Sequence, residues 1–492
     1  MGSQTAGSDQ SSQSVKLIQR YLAQHAEPHA QAVIQIQDQL TRLGTILPYQ
    51  HTLVIPAFDE SVDFIDQVLP STIENTLVIV VVNAAVDSDR PAIERTQTLL
   101  DSFEPSGELL TVMTYNVTTS LLVVDCCTAG RQLPSKQGVG LARKIGGDVA
   151  LACMMQRLVT SQWIHYTDAD VMLPEDFLGP SESRGEWGSG GVREWGSEGV
   201  RADETAVKLY PFRHQPWHEA IALYEASLRY YVVQLAWARS PYAFHTIGSL
   251  MCVNSLHYAK VRGFPKRKAA EDFYMLNKLA KTGTVVQLQH PIVTLDSRIS
   301  HRVPFGTGAT MTRLSQTSTF TFYHPQIFIH LREWLCCIDQ LWFVDTAAIA
   351  HLDRWFEQSP WADAPWIPHL LEIGLAQTLQ QAQRQSRDRP HFHRFMQTWF
   401  DAFRTLKFVH YLRDSHYPSL SFEPLMEEME RSPIWTDMDR GERRYTSSAP
   451  ASFTLDDFQH RLLDRETQLT LAVDSVQAEL PPRDKPQNHS ES

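Results

Sequence analysis

Short apolar runs alternate with stretches of helical periodicity through the first half of the chain. The apolar runs cover residues 52–56, 76–82, 120–124 and 163–167, and each ends in a proline or is followed by a polar residue. Runs that are apolar on both sides predict the strands of a parallel sheet whose two faces are covered by helices. The pattern therefore predicts an α/β fold with a mostly parallel sheet flanked by helices.

The remaining segments differ from this pattern in periodicity and composition. Residues 15–48 and much of 311–475 have helical periodicity without intervening strands, and 180–204 is rich in Gly, Ser, Glu and Trp. Both termini are polar, which is typical of disorder. The predicted segments are a disordered terminus (1–14), a helical leader (15–48), the α/β domain (49–310) with a flexible insertion (180–204), an all-helical C-terminal extension (311–475) and a disordered tail (476–492).

Composition and charge narrow the possible functions. The chain carries 44 basic and 56 acidic side chains, for a net charge of -12, which argues against binding nucleic acid over a broad surface. A local basic pocket is still compatible with this balance. The six cysteines match no zinc or disulfide spacing, and no signal peptide or apolar window of transmembrane length is found. We therefore expect a cytoplasmic protein without a transmembrane segment or a nucleic-acid partner.

Two carboxylates follow the fourth apolar run. Asp168 and Asp170 are separated by Ala169, and strand alternation places both acidic side chains on the same side. They can therefore converge on one divalent cation, and oxygen ligands favour Mg or Mn. A polar turn that merely ends the strand is the alternative interpretation.

A second candidate region lies between the third and fourth runs. Gly138 and Gly140 mark the start of a predicted helix that carries Arg143 and Lys144 in its first turns. Cations near a helix N-terminus oppose its dipole, and the diphosphate of a ligand would offset this unfavourable charge. A solvated basic turn is the competing interpretation.

Further along the chain, Glu271 and Asp272 open a helix that ends at Gly283. Acidic residues in this position are commonly only helix caps. A loop over residues 297–308 concentrates cations, hydroxyls and glycines, so it either closes over a phosphorylated ligand or is a plain connector. In parallel sheets ligands lie at the carboxyl ends of the strands, and we expect Pro56, Asn83, Asp125 and Asp168 to cluster there.

Taken together, these motifs resemble the GT-A catalytic domain of family-2 glycosyltransferases, which has a Rossmann-like fold. The resemblance runs from about residue 53 to 305. Its motifs are, in order, the segment 56–60 after the first strand, the Ala142-Arg143 helix, Asp168-Ala169-Asp170, the Gly263-Phe264 turn and Glu271-Asp272. One departure is the end of the second strand, where Asn83-Ala84-Ala85 stands in place of the family's acidic residue. The nucleotide base is therefore left open.

The resemblance implies a nucleotide-diphosphate sugar as donor and a divalent metal, Mn or Mg, as cofactor. Asp170 would bind the metal directly, and Asp168 would contact the ribose or reach the metal through water. His301 is the expected third metal ligand, with His290 in reserve. The residues expected to bind the donor are Pro56, Glu60 and Asn83 at the nucleoside and Arg143, Lys144 and Arg302 at the phosphates.

The same resemblance implies a catalytic carboxylate. In an inverting transfer Asp272 would take the proton of the acceptor hydroxyl, with Glu271 orienting it or substituting for it. A retaining enzyme needs no such base, and Asp272 would then hold the donor sugar. The stereochemistry stays open at this point.

Three functions compete. The leading hypothesis is a metal-dependent hexosyltransferase that acts on a small-molecule or carbohydrate acceptor. A nucleotidyltransferase is the second, although it normally has a Gly-rich basic loop after the first strand, and residues 56–60 contain none. A non-catalytic nucleotide-sugar binding module is the third. A homo-oligomer is compatible with the sequence, which does not determine the oligomeric state.

Overall fold

The structure is a computed structural model, and it describes residues 4–45, 47–105, 107–179, 205–215, 219–296, 320–432 and 454–478. Its strands are β1 (His51–Ala57), β2 (Thr76–Asn83), β3 (Leu110–Thr114), β4 (Ser120–Cys126), β5 (Trp163–Tyr166), β6 (Val171–Met172), β7 (Thr205–Leu209), β8 (Phe212–His214), β9 (Met251–Asn254), β10 (Thr284–Gln287) and β11 (Val293–Leu295). The first helices are α1 (Gln4–Gln24), α2 (Ile36–Arg42), α3 (Phe64–Val68), α4 (Arg90–Ser102), α5 (Gly138–Met155), α6 (Glu219–Trp237), α7 (Ser255–Lys260) and α8 (Glu271–Leu279). A 3₁₀ helix, Pro28–Gln35, precedes α2.

Eight strands form one sheet in the order β10-β7-β9-β5-β1-β2-β4-β3. The pairs of β1 with β2, β1 with β5, β2 with β4 and β7 with β10 are parallel. Strand β9 is antiparallel to β5 and β7, and β3 is antiparallel to β4. The sequence therefore predicted the α/β class correctly, but the sheet is mixed because two strands run against the other six. Strands β6, β11 and β8 form a separate small sheet.

The sheet is covered on both faces because its central strands are apolar on both sides. Strand β2 is buried along its whole length. Its alternate residues enter two different cores, one containing Leu77, Ile79 and Val81 and the other containing Val78, Val80 and Val82. Helix α5 packs into the first core, and helices α3 and α4 pack into the second. This two-sided burial is what the continuous apolar pattern of the strand predicted.

The N-terminal leader begins earlier than the sequence predicted. Helix α1 already starts at Gln4, so it includes residues 4–14 of the segment for which disorder was predicted. Tyr21 of α1 is buried, and its hydroxyl donates a hydrogen bond of 2.5 Å to Asp148 of α5. The leader is thus fastened to the face of the α/β domain on which α5 lies.

The chain after residue 320 is helical, as predicted, but more finely divided. Its helices are α9 (Pro325–Leu341), α10 (Thr346–Ile349), α11 (Leu352–Glu357), α12 (Ile367–Glu372), α13 (Leu375–Gln385), α14 (Arg389–Trp399), α15 (Ala402–Ser415), α16 (Phe422–Arg431) and α17 (Leu455–Ala478). They share a core built around Trp334, Trp366 and Phe356, to which α6 also contributes. Helix α17 passes the predicted start of the disordered tail by a few residues, and residues 479–492 lie outside the described part.

Length and apolar character determine whether a helix in the described ranges could cross a membrane. In those ranges no helix combines the length and the apolar character that a membrane span requires. The predicted insertion at 180–204 lies outside the described residues.

Candidate functional site

A cleft of about 1570 Å³ opens at the carboxyl ends of β1, β2 and β5, between the α/β domain and the helical extension. Residues that the sequence singled out at distant positions line this one cleft. They are Pro56, Glu60, Asn83, Arg143, Asp168, Asp170, Glu271 and Asp272. The two acidic motifs, about 100 residues apart in the chain, therefore face the same space.

Arg143 lies between the two acidic motifs. Its side chain is only 4% exposed, and it donates one hydrogen bond to Oδ1 of Asp168 and another to Oε1 of Glu271. Its Nε atom has no hydrogen-bond partner among the residues that the structure describes. One guanidinium thus holds a carboxylate from the end of β5 and a carboxylate from the start of α8 in fixed relative positions.

A glycine makes this placement of Arg143 possible. A Cβ atom built on Gly248 would lie 2.6 Å from Cζ of Arg143, so a larger residue would displace the guanidinium. Gly140 has a similar role at the start of α5, where its N–H donates to the carbonyl of Arg267 over 3.0 Å. A Cβ atom there would lie 2.6 Å from that same oxygen. The two glycines allow α5 and its arginine to approach the backbone of neighbouring loops.

The acidic pair on α8 has raised pKa values. Burial raises the pKa of Glu271 to about 7, Arg143 opposes that rise, and the charge of Asp272 adds to it. Burial likewise raises the pKa of Asp272 against the opposing charge of Arg143. The pKa of Arg143 is itself raised, because three neighbouring carboxylates outweigh the effect of its burial. The site therefore keeps a permanent cation beside carboxyl groups that accept protons readily.

The backbone before α8 adopts an uncommon conformation. Ala270 has φ of +58°, in the left-handed region that residues with a Cβ atom seldom occupy. Immediately after it, Glu271 and Asp272 form the first turn of α8. This tight turn brings both carboxylates to the cleft.

The nucleoside end of the predicted site is also lined by acidic residues. Asp59, which the sequence analysis did not assign, is held by Arg95 through bonds of 2.5 and 3.0 Å. The amide of Asn83 donates to the carbonyls of Ala57 and Val81, over 3.1 and 3.0 Å. Asn83 therefore connects the ends of β1 and β2 as well as lining the cleft.

Three expected residues are placed away from the cleft. The ammonium of Lys144 is buried against Asp148 at 3.0 Å and the hydroxyl of Tyr21 at 2.6 Å, and Lys144 is not among the residues that line the cleft. Asp125 caps a turn and pairs with Arg131 at 2.7 Å. His290 is exposed outside the cleft lining. The remaining predicted residues, His301 and Arg302, lie outside the described part of the chain.

Carboxylates dominate the described lining of the cleft. The acidic side chains are Asp59, Glu60, Asp87, Asp89, Asp168, Asp170, Glu271 and Asp272, and the lysines and arginines are Arg95, Arg143, Lys268 and Arg413. Because the lining holds eight carboxylates and four lysines or arginines, it would repel an anionic diphosphate unless another cation were bound with it. A divalent cation would supply that charge.

The metal-ligating side chains described in the cleft are too few to hold a metal ion without additional ligands. Within the described ranges, no three His, Cys, Asp or Glu side chains are arranged to hold a metal ion. Among the described residues, the carboxylates that line the cleft at the end of β5 are those of Asp168 and Asp170, and Arg143 already bonds one oxygen of Asp168. Magnesium is commonly bound by one or two carboxylates together with substrate phosphates and water. The residues present therefore fit a metal held jointly with a phosphorylated ligand.

The helical extension forms the opposite wall of the cleft. Tyr323, Phe403, His410 and Arg413 belong to this wall, and the hydroxyl of Tyr323 lies 2.9 Å from Nε2 of His410. Local sequence patterns give no signal for these residues, because the extension reaches the site only through long-range packing.

Comparison with known proteins adds no assignment. No protein-family model matches the chain, and a search of curated proteins finds no match. The functional inference therefore depends on the geometry and chemistry of the cleft.

Proposed function

We propose that this protein is a metal-dependent glycosyltransferase that moves a sugar from a nucleotide-diphosphate donor to an acceptor hydroxyl. The observation that carries the proposal is the meeting of Asp168, Asp170, Glu271 and Asp272 in one cleft, with Arg143 between the two motifs. This arrangement provides separate groups for the leaving diphosphate and for the attacking hydroxyl.

The leaving-group side would be built on Asp168 and Asp170. These residues would hold Mn or Mg together with the diphosphate, and the bound metal would supply Lewis-acid stabilisation of the charge on the leaving diphosphate. Arg143 keeps Asp168 oriented through its direct hydrogen bond. The excess of carboxylates in the lining supports this role, because it favours a divalent cation.

The nucleoside side would use the ends of β1 and β2. Pro56 and Asn83 give a rigid floor, since both lie on buried strands that are paired with each other. Asp59 and Glu60 supply carboxylate acceptors beside this floor. Such acceptors suit the hydroxyls of a ribose and the N–H groups of a base.

The attacking side would use Asp272. This carboxylate is partly exposed in the cleft, and burial raises its pKa, which makes it a better acceptor of the acceptor-hydroxyl proton near neutral pH. Glu271 would orient it while staying bound to Arg143. This assignment describes an inverting transfer, and in a retaining enzyme Asp272 would hold the donor sugar instead.

Substitution of Asp170 tests the proposal. With Mn²⁺ and a panel of UDP- and GDP-sugars, we expect Asp170→Ala to lower metal-dependent transfer or donor hydrolysis by about 10²-fold or more, because charge stabilisation of the leaving group is lost. The matched control is Glu175→Ala, which removes an exposed carboxylate outside the cleft. Unchanged turnover in Asp170→Ala would contradict the site assignment.

A further inference from the structure

Two aromatic rings meet at the seam between α8 and the helical extension. Tyr274 of α8 and Phe403 of α15 both line the cleft, and their ring centroids are 6.0 Å apart with an angle of 35° between the planes. Phe403 is 37% exposed and is not part of the helical core. The two tilted rings thus present apolar surface to the cleft; we call this pair the aromatic platform.

The platform is held in place from both sides. The guanidinium carbon of Arg267 lies 3.9 Å from the centroid of the Tyr274 ring, which fixes that ring through a cation–π contact. On α8, Asn277 donates to Asp401 over 3.1 Å and accepts from the N–H of Ala402 over 3.1 Å. Lys281 adds a bond of 2.5 Å to Asp401.

Asp401 links these bonds to Phe403. Its carboxylate caps α15 by accepting from the N–H groups of Phe403 and Arg404, each over 3.1 Å. Because Tyr274 and Asn277 are three residues apart, they share one face of α8, and Lys281 follows just after the end of this helix. Phe403 is therefore positioned beside Tyr274 before any ligand binds, and a preorganised surface of this kind is a common property of ligand sites.

The surroundings of the platform are polar. The same wall of the cleft carries Tyr323, His410, Arg413 and Ser419, which supply hydrogen-bond donors and acceptors. An exposed apolar surface next to such groups suits a ligand that is flat and apolar on one face and rich in hydroxyls at its edge. A pyranose ring has this character, because its axial C–H groups pack on an aromatic ring while its hydroxyls stay available for hydrogen bonds.

We propose that the aromatic platform is the acceptor subsite and that it binds a pyranose ring. This inference rests on the proposed function, because Tyr274 of the platform lies on the helix that carries Asp272, whereas the nucleoside wall belongs to β1 and β2. The acceptor is thus a cyclic sugar or the sugar end of a glycoside. Acyclic polyols lack the flat C–H face and bind more weakly.

Saturation-transfer NMR tests this inference without requiring turnover. The probes are the methyl pyranosides of glucose, mannose and galactose, with glycerol and sorbitol as acyclic comparators, each with Mn²⁺-free protein plus Mg²⁺ and UDP or GDP. We expect at least one pyranoside to bind, with the strongest saturation at its ring C–H protons. Phe403→Ala and Tyr274→Ala should each weaken that binding at least tenfold.

Control variants separate stacking from folding. Phe403→Trp keeps an aromatic face and should retain binding, and Phe343→Ala removes a ring that is 67% exposed elsewhere on the extension and should change nothing. Unaltered affinity in Phe403→Ala, binding of no pyranoside in the panel, or equal binding of glycerol would each overturn the inference.

The proposed function is judged separately by calorimetry of UDP and GDP with Mg²⁺. Nucleotide binding should be the same in Phe403→Ala and in the wild-type protein. Intact nucleotide binding with unaltered pyranoside affinity in Phe403→Ala would overturn only the acceptor subsite. A wild-type protein that binds a pyranoside at the platform but neither nucleotide would support a sugar site there and contradict the glycosyltransferase.

Discussion

Arg143 and Lys144 are neighbours on α5, yet they belong to two charge clusters that differ in charge balance and in access to solvent. The cleft cluster consists of Arg143, Asp168, Glu271 and Asp272, and the anchor cluster consists of Tyr21, Lys144, Asp148 and Tyr258. Successive residues of a helix point about 100° apart, so one basic side chain reaches the cleft while the next is directed into the packing behind the sheet.

The anchor cluster is balanced and closed to solvent. Asp148 is fully buried, and its carboxylate accepts hydrogen bonds from Tyr21 at 2.5 Å, Tyr258 at 2.9 Å and Lys144 at 3.0 Å. The N–H of Glu27 donates a fourth bond of 2.8 Å. One cation meets one anion whose oxygens are fully used, so this cluster joins the leader to the α/β domain and has no capacity for a ligand.

The cleft cluster has an excess of negative charge and opens into a large cavity. The guanidinium of Arg143 is the single cation beside the three carboxylates of this cluster, and it donates hydrogen bonds to Asp168 and Glu271. Burial raises the pKa of Glu271, although the positive charge of Arg143 lowers it. Such unrelieved charge is unfavourable for folding and is typical of functional sites that await a cation or a proton. Burial of an ion pair therefore does not identify its role. The balance of charges in the cluster and the access of solvent to it do.

The largest expected effect is the loss of activity in Asp272→Asn. An amide cannot take a proton from the acceptor hydroxyl, so we expect kcat for transfer to fall by about 10²- to 10⁴-fold. Thermal stability should stay the same or rise, because one of three clustered carboxylates loses its charge. Steady-state transfer assays and thermal unfolding of the same preparations measure both quantities.

The anchor cluster provides the contrast for that experiment. Asp148→Asn should lower the free energy of unfolding while leaving kcat of the folded protein within a few-fold of the wild-type value. If Asp272→Asn retained full kcat, the carboxylate would not be the base, and a retaining mechanism in which Asp272 holds the donor would be favoured.

The second effect is a loss of stability in Lys144→Met. Removal of the ammonium leaves Asp148 as a buried charge without its ionic partner, and breaking such a pair costs about 3–5 kcal/mol of unfolding free energy. Urea unfolding measures the change. Lys136→Met, in an exposed position just before α5, is the matched control and should change stability by less than about 0.5 kcal/mol.

Donor binding distinguishes the two roles considered for Lys144. If the wild-type protein binds UDP or GDP as proposed, we expect the folded Lys144→Met protein to bind the same nucleotide with similar affinity. A variant of full stability that had lost nucleotide binding would restore the original expectation that Lys144 contacts the phosphates.

The fold was predictable where side-chain patterns are local. Strands β1, β2, β4 and β5 were recognised because they are apolar on both sides. Strand β3 was missed because it is short and lies at the edge, with Leu110 and Val112 buried and Thr111 and Met113 partly exposed. The reversed direction of β9 could not be read from sequence, because the direction of a strand depends on the path of the chain.

The site was predictable only in part for a related reason. One acidic motif follows a strand and the other starts a helix. In a parallel sheet the carboxyl ends of the strands lie at the same edge, so such motifs are expected there. Whether Arg143 or Lys144 faces that edge depends on the rotation of α5 about its axis. Close contacts made by Gly140 of α5 with the backbone of Arg267, and by Gly248 with the guanidinium of Arg143, determine this rotation. Phe403 reaches the cleft by packing of the extension, for which no local signal exists.

The smallest expected effect concerns the pH dependence of stability. It tests whether the negative charge of the cleft cluster is less well compensated than that of the anchor cluster. Burial raises the pKa of Glu271 from 4.5 to about 7, so its contribution to stability is fully present below pH 4.5 and is lost as the pH rises through 7. Glu271→Gln removes this titration. The difference in unfolding free energy, variant minus wild type, should therefore increase between pH 4.5 and 7, by an amount on the order of 2 kcal/mol, and level off above that range.

Urea unfolding at pH 5, 6, 7 and 8 measures this difference, and Glu175→Gln, an exposed position, controls for the loss of one negative charge. The amide oxygen of Gln can still accept from Arg143, but this neutral hydrogen bond is weaker and offsets the whole curve of Glu271→Gln. The slope of the difference with pH, rather than its offset, therefore reports the titration of Glu271. A difference that stays flat or decreases with pH would mean that Arg143 fully compensates Glu271. The charges of the cleft cluster would then be as balanced as those of the anchor cluster, and the inference that the cleft binds an additional cation would be wrong.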